Sequence, residues 1–414
     1  MRIGMISQWY EPEPGAAAHP TAIARALQRR GHEVQVLTGF PNYPRGVVYD
    51  GYRMKLRHFE TRDGIRLLRV PLHASHDSSG IHRSLTLSSF AASAALQVSW
   101  LRSVDVCLVY LTPATVGVAA RILRRLAGVP YLLNVQDLWP ESVTASGFLG
   151  NGRLASAVAC AINLFLRGLY RHAAATVAIA PTMARMLEQR GVPGDRSHVV
   201  YNWVDESIFA PVAAPMHREL TPERIWIMYA GGIGTLQGLD ASVTALSLMG
   251  DRPDVCLALV GDGVAAPGLR RLATRLGVAD RVLFLGNRPM AAMPELMAQA
   301  DAQLVSLQDR PLFRATIPSK LQSVLAGGHP VVCAVAGDTA DFVTRTGAGL
   351  VATAGDPAAI ATAFRGIADA GLEGRRAMGL RARNAYVDRL SEAVGAAQLE
   401  QLLALAATGQ GHRR

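Results

Sequence analysis

Short apolar runs that break off at glycine, proline or a polar loop, each followed by an amphipathic stretch, recur along the whole chain. A run of that kind is the pattern of a strand buried on both faces. The amphipathic stretch between two of them is the crossover helix that a parallel sheet requires. Residues 2–8, 33–39, 65–71, 104–111, 130–137, 175–181 and 198–202 read as strands of one sheet. Residues 205–224 are then rich in proline and polar side chains, as a linker is. The alternation restarts with runs at 225–234, 255–263, 281–287, 302–308, 329–335 and 348–354. The expected fold class is α/β, with two doubly wound, Rossmann-like domains facing across a cleft. Residues 1–205 and 206–385 form the domains, and residues 386–414 form a last helix crossing back toward the first domain plus a frayed tail.

Half of the 414 residues are hydrophobic, enough for two buried cores, and the formal net charge is +10. A basic balance suits nucleic acid, an anionic membrane or an anionic small substrate. No run of five basic residues and no zinc-finger, helix-turn-helix or ribonucleoprotein signature occurs, so no nucleic-acid partner is expected. Cys107, Cys160, Cys256 and Cys333 lie far apart in apolar runs, which reads as buried free thiols in a reducing cytosol. The first apolar run is too short for a cleavable signal. No stretch of ~18 apolar residues predicts a spanning helix. A cytoplasmic protein is expected. The apolar, arginine-edged stretches at 84–102 and 153–172 allow peripheral contact with the inner face of the membrane, against the plainer reading of helices packed on the sheet.

Ligands of open α/β sheets bind at the carboxyl ends of the strands, so the strand exits carry the chemistry. After the first strand, Gly15 sits among small residues before a helix start, where a backbone can approach a phosphate or simply turn. At 229–241, YAGGIGTLQGLDA, a strand runs straight into Gly231, Gly232 and Gly234, a backbone suited to a diphosphate or to a tight turn. At 314–332, Pro318 and Ser319 open a helix whose N–H groups could hold a diphosphate. Lys320, Arg310 and Arg314 would add charge, against the reading of a helix start with solvated cations. Asp137 and Glu141 follow another strand, as site carboxylates or as helix-capping residues. Asn202 and Asp205 line a cleft or make an Asx-type turn. No His/Cys/Asp cluster has metal-ligand spacing, so no metal is expected. The dinucleotide fingerprint G-x-G-x-x-G is absent from the first loop, which disfavours a nicotinamide enzyme.

Together, VQDLWPES, YNWVD, AGGIGTLQGLD and TIPSKLQSVLAGGHPVV resemble the retaining glycosyltransferases of family 4, the two-domain GT-B type. The likeness is strongest to the bacterial fucosamine transferase and colanic-acid glycosyltransferase group, and it runs over nearly the whole chain. The resemblance implies a hexosyl- or N-acetylhexosaminyl-type transferase that moves sugar from a nucleotide-sugar, often a UDP-sugar, to a hydroxyl acceptor. That acceptor would be a lipid-linked or cell-surface polysaccharide precursor, with no further cofactor and no metal. It implies that the C-terminal domain holds the donor. The Gly231–Gly234 loop and the Pro318–Lys320 helix start would face the diphosphate, and Asn287 and Arg288 would meet the base. Gly15 would touch the diphosphate from the other domain, and Asp137 would lie toward the donor sugar. Two positions depart from the family pattern. The usual arginine and lysine are here Gly232 and Gln237, which leaves Lys320, Arg314 or Arg310 to replace them. The paired glutamates are here Ala315 and Ser323, which removes the usual ribose ligand. A natural-product glycosyltransferase of the same family, a GT-B-like UDP-sugar epimerase and a non-catalytic nucleotide-sugar binder are the alternatives.

Overall fold

The computed structural model describes residues 1–75, 80–139, 153–212 and 219–409. They divide into two compact units, Met1–Val200 with Gly395–Arg414, and Tyr201–Val394. The linker expected at 205–224 therefore follows the division, and the final helix joins the first unit from Gly395 onward. There Arg30 pairs with Glu400, whose carboxylate also takes a hydrogen bond with His32 at 2.8 Å.

In the first unit, eight strands lie in the order β3-β4-β2-β1-β5-β6-β7-β8. They are β1 (Arg2–Ile6), β2 (Glu33–Gly39), β3 (His58–Arg62), β4 (Ile65–Val70), β5 (Val106–Leu111), β6 (Tyr131–Val135), β7 (Ala175–Ala178) and β8 (Ser197–Val199). All pair in parallel except β3 with β4. The central strands are apolar and buried throughout, which is why they read so clearly in sequence. The antiparallel edge strand β3 was not anticipated. Its sequence HFETR is polar and only half-buried, so it carries no apolar run. Helices α1 (Ala18–Arg29), α2 (Gly80–Gln97), α3 (Gly117–Ala127), α4 (Arg153–His172) and α5 (Pro181–Gln189) make the crossovers.

One buried cation organises the carboxyl edge of this sheet. Arg69, on β4, is fully buried. Its Nε donates to Glu60 of β3 at 2.7 Å, its Nη1 to the Gly39 carbonyl at 2.9 Å, and its Nη2 to the Glu11 carbonyl. A single side chain thereby ties the edge strand, the end of β2 and the loop after β1. Glu13 fixes the same loop from within. Its carboxylate accepts from the backbone N–H groups of Asn42, Tyr43 and Tyr10 at 2.7, 2.8 and 3.3 Å.

The second unit repeats the plan with β9 (Ile225–Ala230), β10 (Val255–Val260), β11 (Val282–Gly286), β12 (Ala302–Ser306), β13 (Val331–Ala334) and β14 (Gly349–Val351). The order is β11-β10-β9-β12-β13-β14, all parallel, so the connection reverses direction beside β9. Its helices are α6 (Leu239–Ser247), α7 (Ala266–Arg275), α8 (Met293–Met297), α9 (Pro311–Arg314), α10 (Ser319–Ala326), α11 (Asp338–Thr346), α12 (Pro357–Asp369) and α13 (Gly371–Arg389), followed by α14 (Glu392–Ala407). Asp356 caps α12 by accepting from Ala358 N and Ala359 N, ahead of a proline that suits the first turn. Helix α13 is absent from the sequence reading. It buries Gly379, Ala382, Ala385 and Tyr386, a face mostly of small residues that leaves no apolar stripe to read.

Among the described residues no helix is long and apolar enough to cross a membrane. Three cysteines are buried, as expected; Cys160 is exposed on α4, because that face of the helix turns away from the sheet. Burial raises the Glu60 carboxyl, but Arg69 and Arg62 outweigh it and hold it below the usual carboxylate range. A depressed folded-state pKa contributes stability above the unfolded value and loses it as pH falls through the folded value. Arg69→Met should therefore cost about 3 kcal/mol or more in urea unfolding at neutral pH and flatten the acid limb of the stability profile. An unchanged midpoint would refute that role.

Candidate functional site

The pocket of the second unit is set up by glycine. The exit of β10 runs back to back with the exit of β9: Gly231 N–H donates to the Val260 carbonyl, Ile233 N–H to Asp262 and Ala265 N–H to Ile233. Gly261 comes so close that a Cβ there would lie 2.0 Å from the Gly231 carbonyl oxygen. At Gly231, with φ at +137°, a Cβ would lie 2.4 Å from Cε of Lys320. The lysine stem therefore occupies the space that any other residue at 231 would fill. Its Nζ ends 4.9 Å from the centre of the Tyr229 ring, and the Tyr229 hydroxyl donates to the Gly232 carbonyl at 2.8 Å.

Around this core lies a pocket of about 360 Å³. The β9 and β10 exits supply Gly231, Gly232 and Gly261; the segment after β11 supplies Asn287 and Arg288; α10 supplies Ser319, Lys320 and Ser323. Met290, Met293 and Met297 form an apolar wall beside Asn287. Helix α10 opens after Pro318, which is extended, and no side chain caps its first turn. Its leading N–H groups are thus available to an anion, with the helix dipole behind them. Burial holds the Lys320 ammonium below the ordinary lysine range, and no carboxylate pairs with it among the described residues. A half-buried cation without a carboxylate partner, beside open amides, is an arrangement that an anionic ligand completes.

The other expected donor-side residues are distributed differently. Arg314 is held by Asp309, with Nε donating at 2.6 Å, and Arg310 donates to Gln308 at 3.2 and 3.0 Å; both are exposed and neither lines the pocket. Arg288 reaches the pocket but also pairs with Glu219. Gln237 folds back, its Oε1 accepting from Gly234 N at 3.0 Å, so Gly234 serves the turn rather than the pocket wall. Ala315 is fully buried, whereas Ser323 faces the pocket with its hydroxyl donating to the Ser319 carbonyl at 3.2 Å. The methionine wall and Phe209 carry no site signal in the sequence, because methionines at helical spacing read as core; Gly261, in the glycine-rich strand exit GDGV at 261–264, reads as a weak signal on its own.

In the first unit, Gly15 stands at φ +65° at the head of a short 3-10 turn leading into α1. Asp137 follows β6, where the Thr112 hydroxyl donates to its Oδ2 at 3.2 Å, and burial raises its carboxyl above the usual range against that bond. Glu141 and Pro140 lie outside the described residues. His19, beside the Tyr110 ring at 5.9 Å, is pushed by burial down to about 3 and is neutral. In the second unit, Asp205 accepts from the Ser207 N–H at 3.0 Å, the Asx-type turn, and Asn202 is half-buried beside it. Among the described residues no group of three His, Cys, Asp or Glu could hold a metal ion.

Residues 14–203 match the glycosyl transferase 4-like domain, and residues 224–369 match the glycosyl transferases group 1 domain. The chain belongs to the glycosyltransferases. Over 346 residues this glycosyltransferase is 28% identical to the putative colanic acid biosynthesis glycosyl transferase WcaI of Escherichia coli K12, covering 81% of this chain and 84% of that protein. It is 26% identical to the GDP-mannose-dependent alpha-mannosyltransferase of Mycobacterium tuberculosis over 86% of this chain and 85% of that one. Among solved structures, Anabaena Alr3699/HepE in complex with UDP matches with a TM-score of 0.68 at 16% identity, over 98% of this chain and 100% of that chain. That likeness is one of fold, and the glycosyltransferase has the GT-B fold class of two parallel-sheet α/β domains.

The two glycines make separable predictions. Gly261→Ala drives a Cβ into rigid backbone and should cost about 3 kcal/mol or more of unfolding free energy. Gly231→Ala meets the movable end of a lysine, so its cost should be smaller, about 1–3 kcal/mol, read from the same unfolding curves. Equal, small effects of both on stability would contradict the interlocked geometry.

Proposed function

We propose that this glycosyltransferase takes a UDP-sugar as donor, holds its diphosphate in the pocket of the second unit, and transfers the sugar to a hydroxyl with retention of configuration. The observation that carries this reading is Lys320: a half-buried ammonium with no carboxylate partner among the described residues, laid across Gly231 at the uncapped start of α10. The Gly231–Gly232 and Ser319–Lys320 amides surround it, and a volume of about 360 Å³ suits a nucleotide-sized ligand. The methionine wall with Asn287 and Arg288 would take the base. With a serine at 323 in place of a carboxylate, the ribose would be held by hydroxyl and backbone groups. UDP as the nucleotide is supported by the UDP complex of the Anabaena neighbour; the mycobacterial relative named for GDP-mannose is why the nucleotide needs a direct test.

In the reaction, the bond from C1 of the sugar to the diphosphate oxygen breaks as the acceptor oxygen bonds to C1 on the same face. The hydroxyl proton passes to the departing phosphate oxygen. The leaving diphosphate gains charge as the bond breaks. Donors aimed at it, Lys320 above all, therefore stabilise the transition state more than the ground state. The countercharge comes from amides and one lysine, so the reading assigns no metal. Asp137 would position the sugar or stabilise an oxocarbenium-like state, and Gly15 would contribute a backbone approach to the diphosphate. The acceptor is proposed to be a lipid-linked or cell-surface polysaccharide precursor, in keeping with the name of the Escherichia coli relative. The protein would work in the cytoplasm, in peripheral contact with the membrane.

Removing the charge at Lys320 (Lys320→Met) should weaken UDP about 10- to 100-fold, the value of a charge-assisted contact. The matching charge removals at Arg310 and Arg314 should leave UDP affinity within about twofold. A thermal-shift series with UDP-, GDP- and dTDP-sugars should rank UDP-sugars first, and conversion of donor without acceptor would favour epimerisation instead. At Asp137 the raised carboxyl is unfavourable to folding above its folded pKa and is relieved as pH falls through it. Asp137→Asn should accordingly raise Tm while sharply lowering kcat; a variant with near-normal kcat would remove Asp137 from the reaction.

A further inference from the structure

A second surface on the first unit has a different character. The segment leading into the edge strand β3 reads Arg53-Met54-Lys55-Leu56-Arg57, and all five residues are exposed. Leu56 is 78% exposed and Phe59, the second residue of β3, is 58% exposed. Arg57 donates to Gln97 at the end of α2, which brings in Leu96, also 78% exposed, and Trp100, whose ring centre is 6.1 Å from that of Phe59. Between them is a hollow of about 280 Å³ with Arg57 and Arg102 in its wall.

The cations here differ from several on the neighbouring strands and on α1. Arg2, Arg25, Arg30, Arg62, Arg66 and Arg69 are each tied to a carboxylate. Arg53, Lys55, Arg57 and Arg102 have no carboxylate partner among the described residues. Four unpaired cations alternate with large apolar side chains that face solvent. A soluble acidic polymer would satisfy the cations and leave the leucines in water. A bilayer with anionic headgroups satisfies both, because apolar side chains enter the headgroup layer while arginines hold phosphates at its surface. Aromatic rings such as Phe59 and Trp100 sit well at that depth.

We propose that this β3 edge docks the protein on an anionic lipid bilayer, with Leu56, Phe59 and Leu96 entering the headgroup layer and Arg57 and Arg102 binding lipid phosphate in the hollow between them. The proposal deepens, and rests on, the membrane contact in the functional reading above, and it does not draw on the donor pocket. It also moves that contact. Of the two stretches expected from sequence, the first turns Phe90, Ala94, Val98 and Leu101 inward and leaves Leu85 and, at its C-terminal end, Leu96 exposed. The second offers Leu164 and Arg167 on α4, away from this hollow.

Vesicle cosedimentation of the full chain tests it, using phosphatidylcholine alone and phosphatidylcholine with about one-third phosphatidylglycerol. The wild type should sediment with the anionic vesicles, less so as salt rises, and little with neutral ones. Leu56→Ser with Phe59→Ser, and separately Arg57→Gln with Arg102→Gln, should each reduce binding about tenfold or more; Leu164→Ser with Arg167→Gln should not. All of these side chains are exposed or line an open hollow, and unchanged thermal shift with UDP reports an intact donor unit. Binding that survives both β3-edge variants, or that falls only with the α4 variant, overturns this surface and leaves membrane contact standing. A wild type that stays in the supernatant with anionic vesicles overturns both.

Discussion

Two glycines at the tips of adjacent strands determine what the second unit can hold. Because Gly261 has no side chain, the β10 exit lies against the Gly231 carbonyl, and because Gly231 has none, Lys320 lies across it toward the Tyr229 ring. The strand order places this contact next to β9, where the chain reverses direction and the crossover helices diverge. The opening they leave is lined by amides, a lysine and a methionine wall. Its shape thus follows from the sheet, and its charge follows from one side chain that has no carboxylate counterpart in the described structure.

That economy bears on chemistry. A lysine whose ammonium is disfavoured by burial is stabilised when an anion arrives, and most of all when a departing diphosphate gains charge. The exposed arginines nearby do not share this property. Arg314 is already neutralised by Asp309, and Arg310 is drawn to Gln308. In the first unit the design is different: buried ion pairing and carboxylate-to-amide bonds, centred on Arg69 and Glu13, brace the loop after β1, while Asp137 keeps a raised carboxyl at the end of β6.

The parallel strands were legible because burial on both faces forces continuous apolar runs, and all the central strands of both sheets lie where such runs occur. Strand β3 and helix α13 were not, since one is polar and half-buried and the other packs through glycine and alanine. At the site, Gly231, Gly232, Ser319 and Lys320 stood out from glycine at a strand exit and proline at a helix start, and the fold brings them together with Asn287 and Arg288. The sequence could not distinguish Lys320 from Arg310 and Arg314. That choice depends on where each side chain turns in the fold: Asp309 holds Arg314, Gln308 draws Arg310, and of the three Lys320 alone lines the pocket. Gly261 was undervalued because its partner is a backbone oxygen from another strand.

The most direct measurement is a crystal structure of the protein soaked with UDP. The account predicts the diphosphate between the Gly231–Gly232 amides and the Ser319–Lys320 start of α10, with the Lys320 ammonium on a phosphate oxygen and the uracil against Asn287 and the methionine wall. A diphosphate bound instead by Arg310 and Arg314, or a nucleotide lodged outside this pocket, would contradict it.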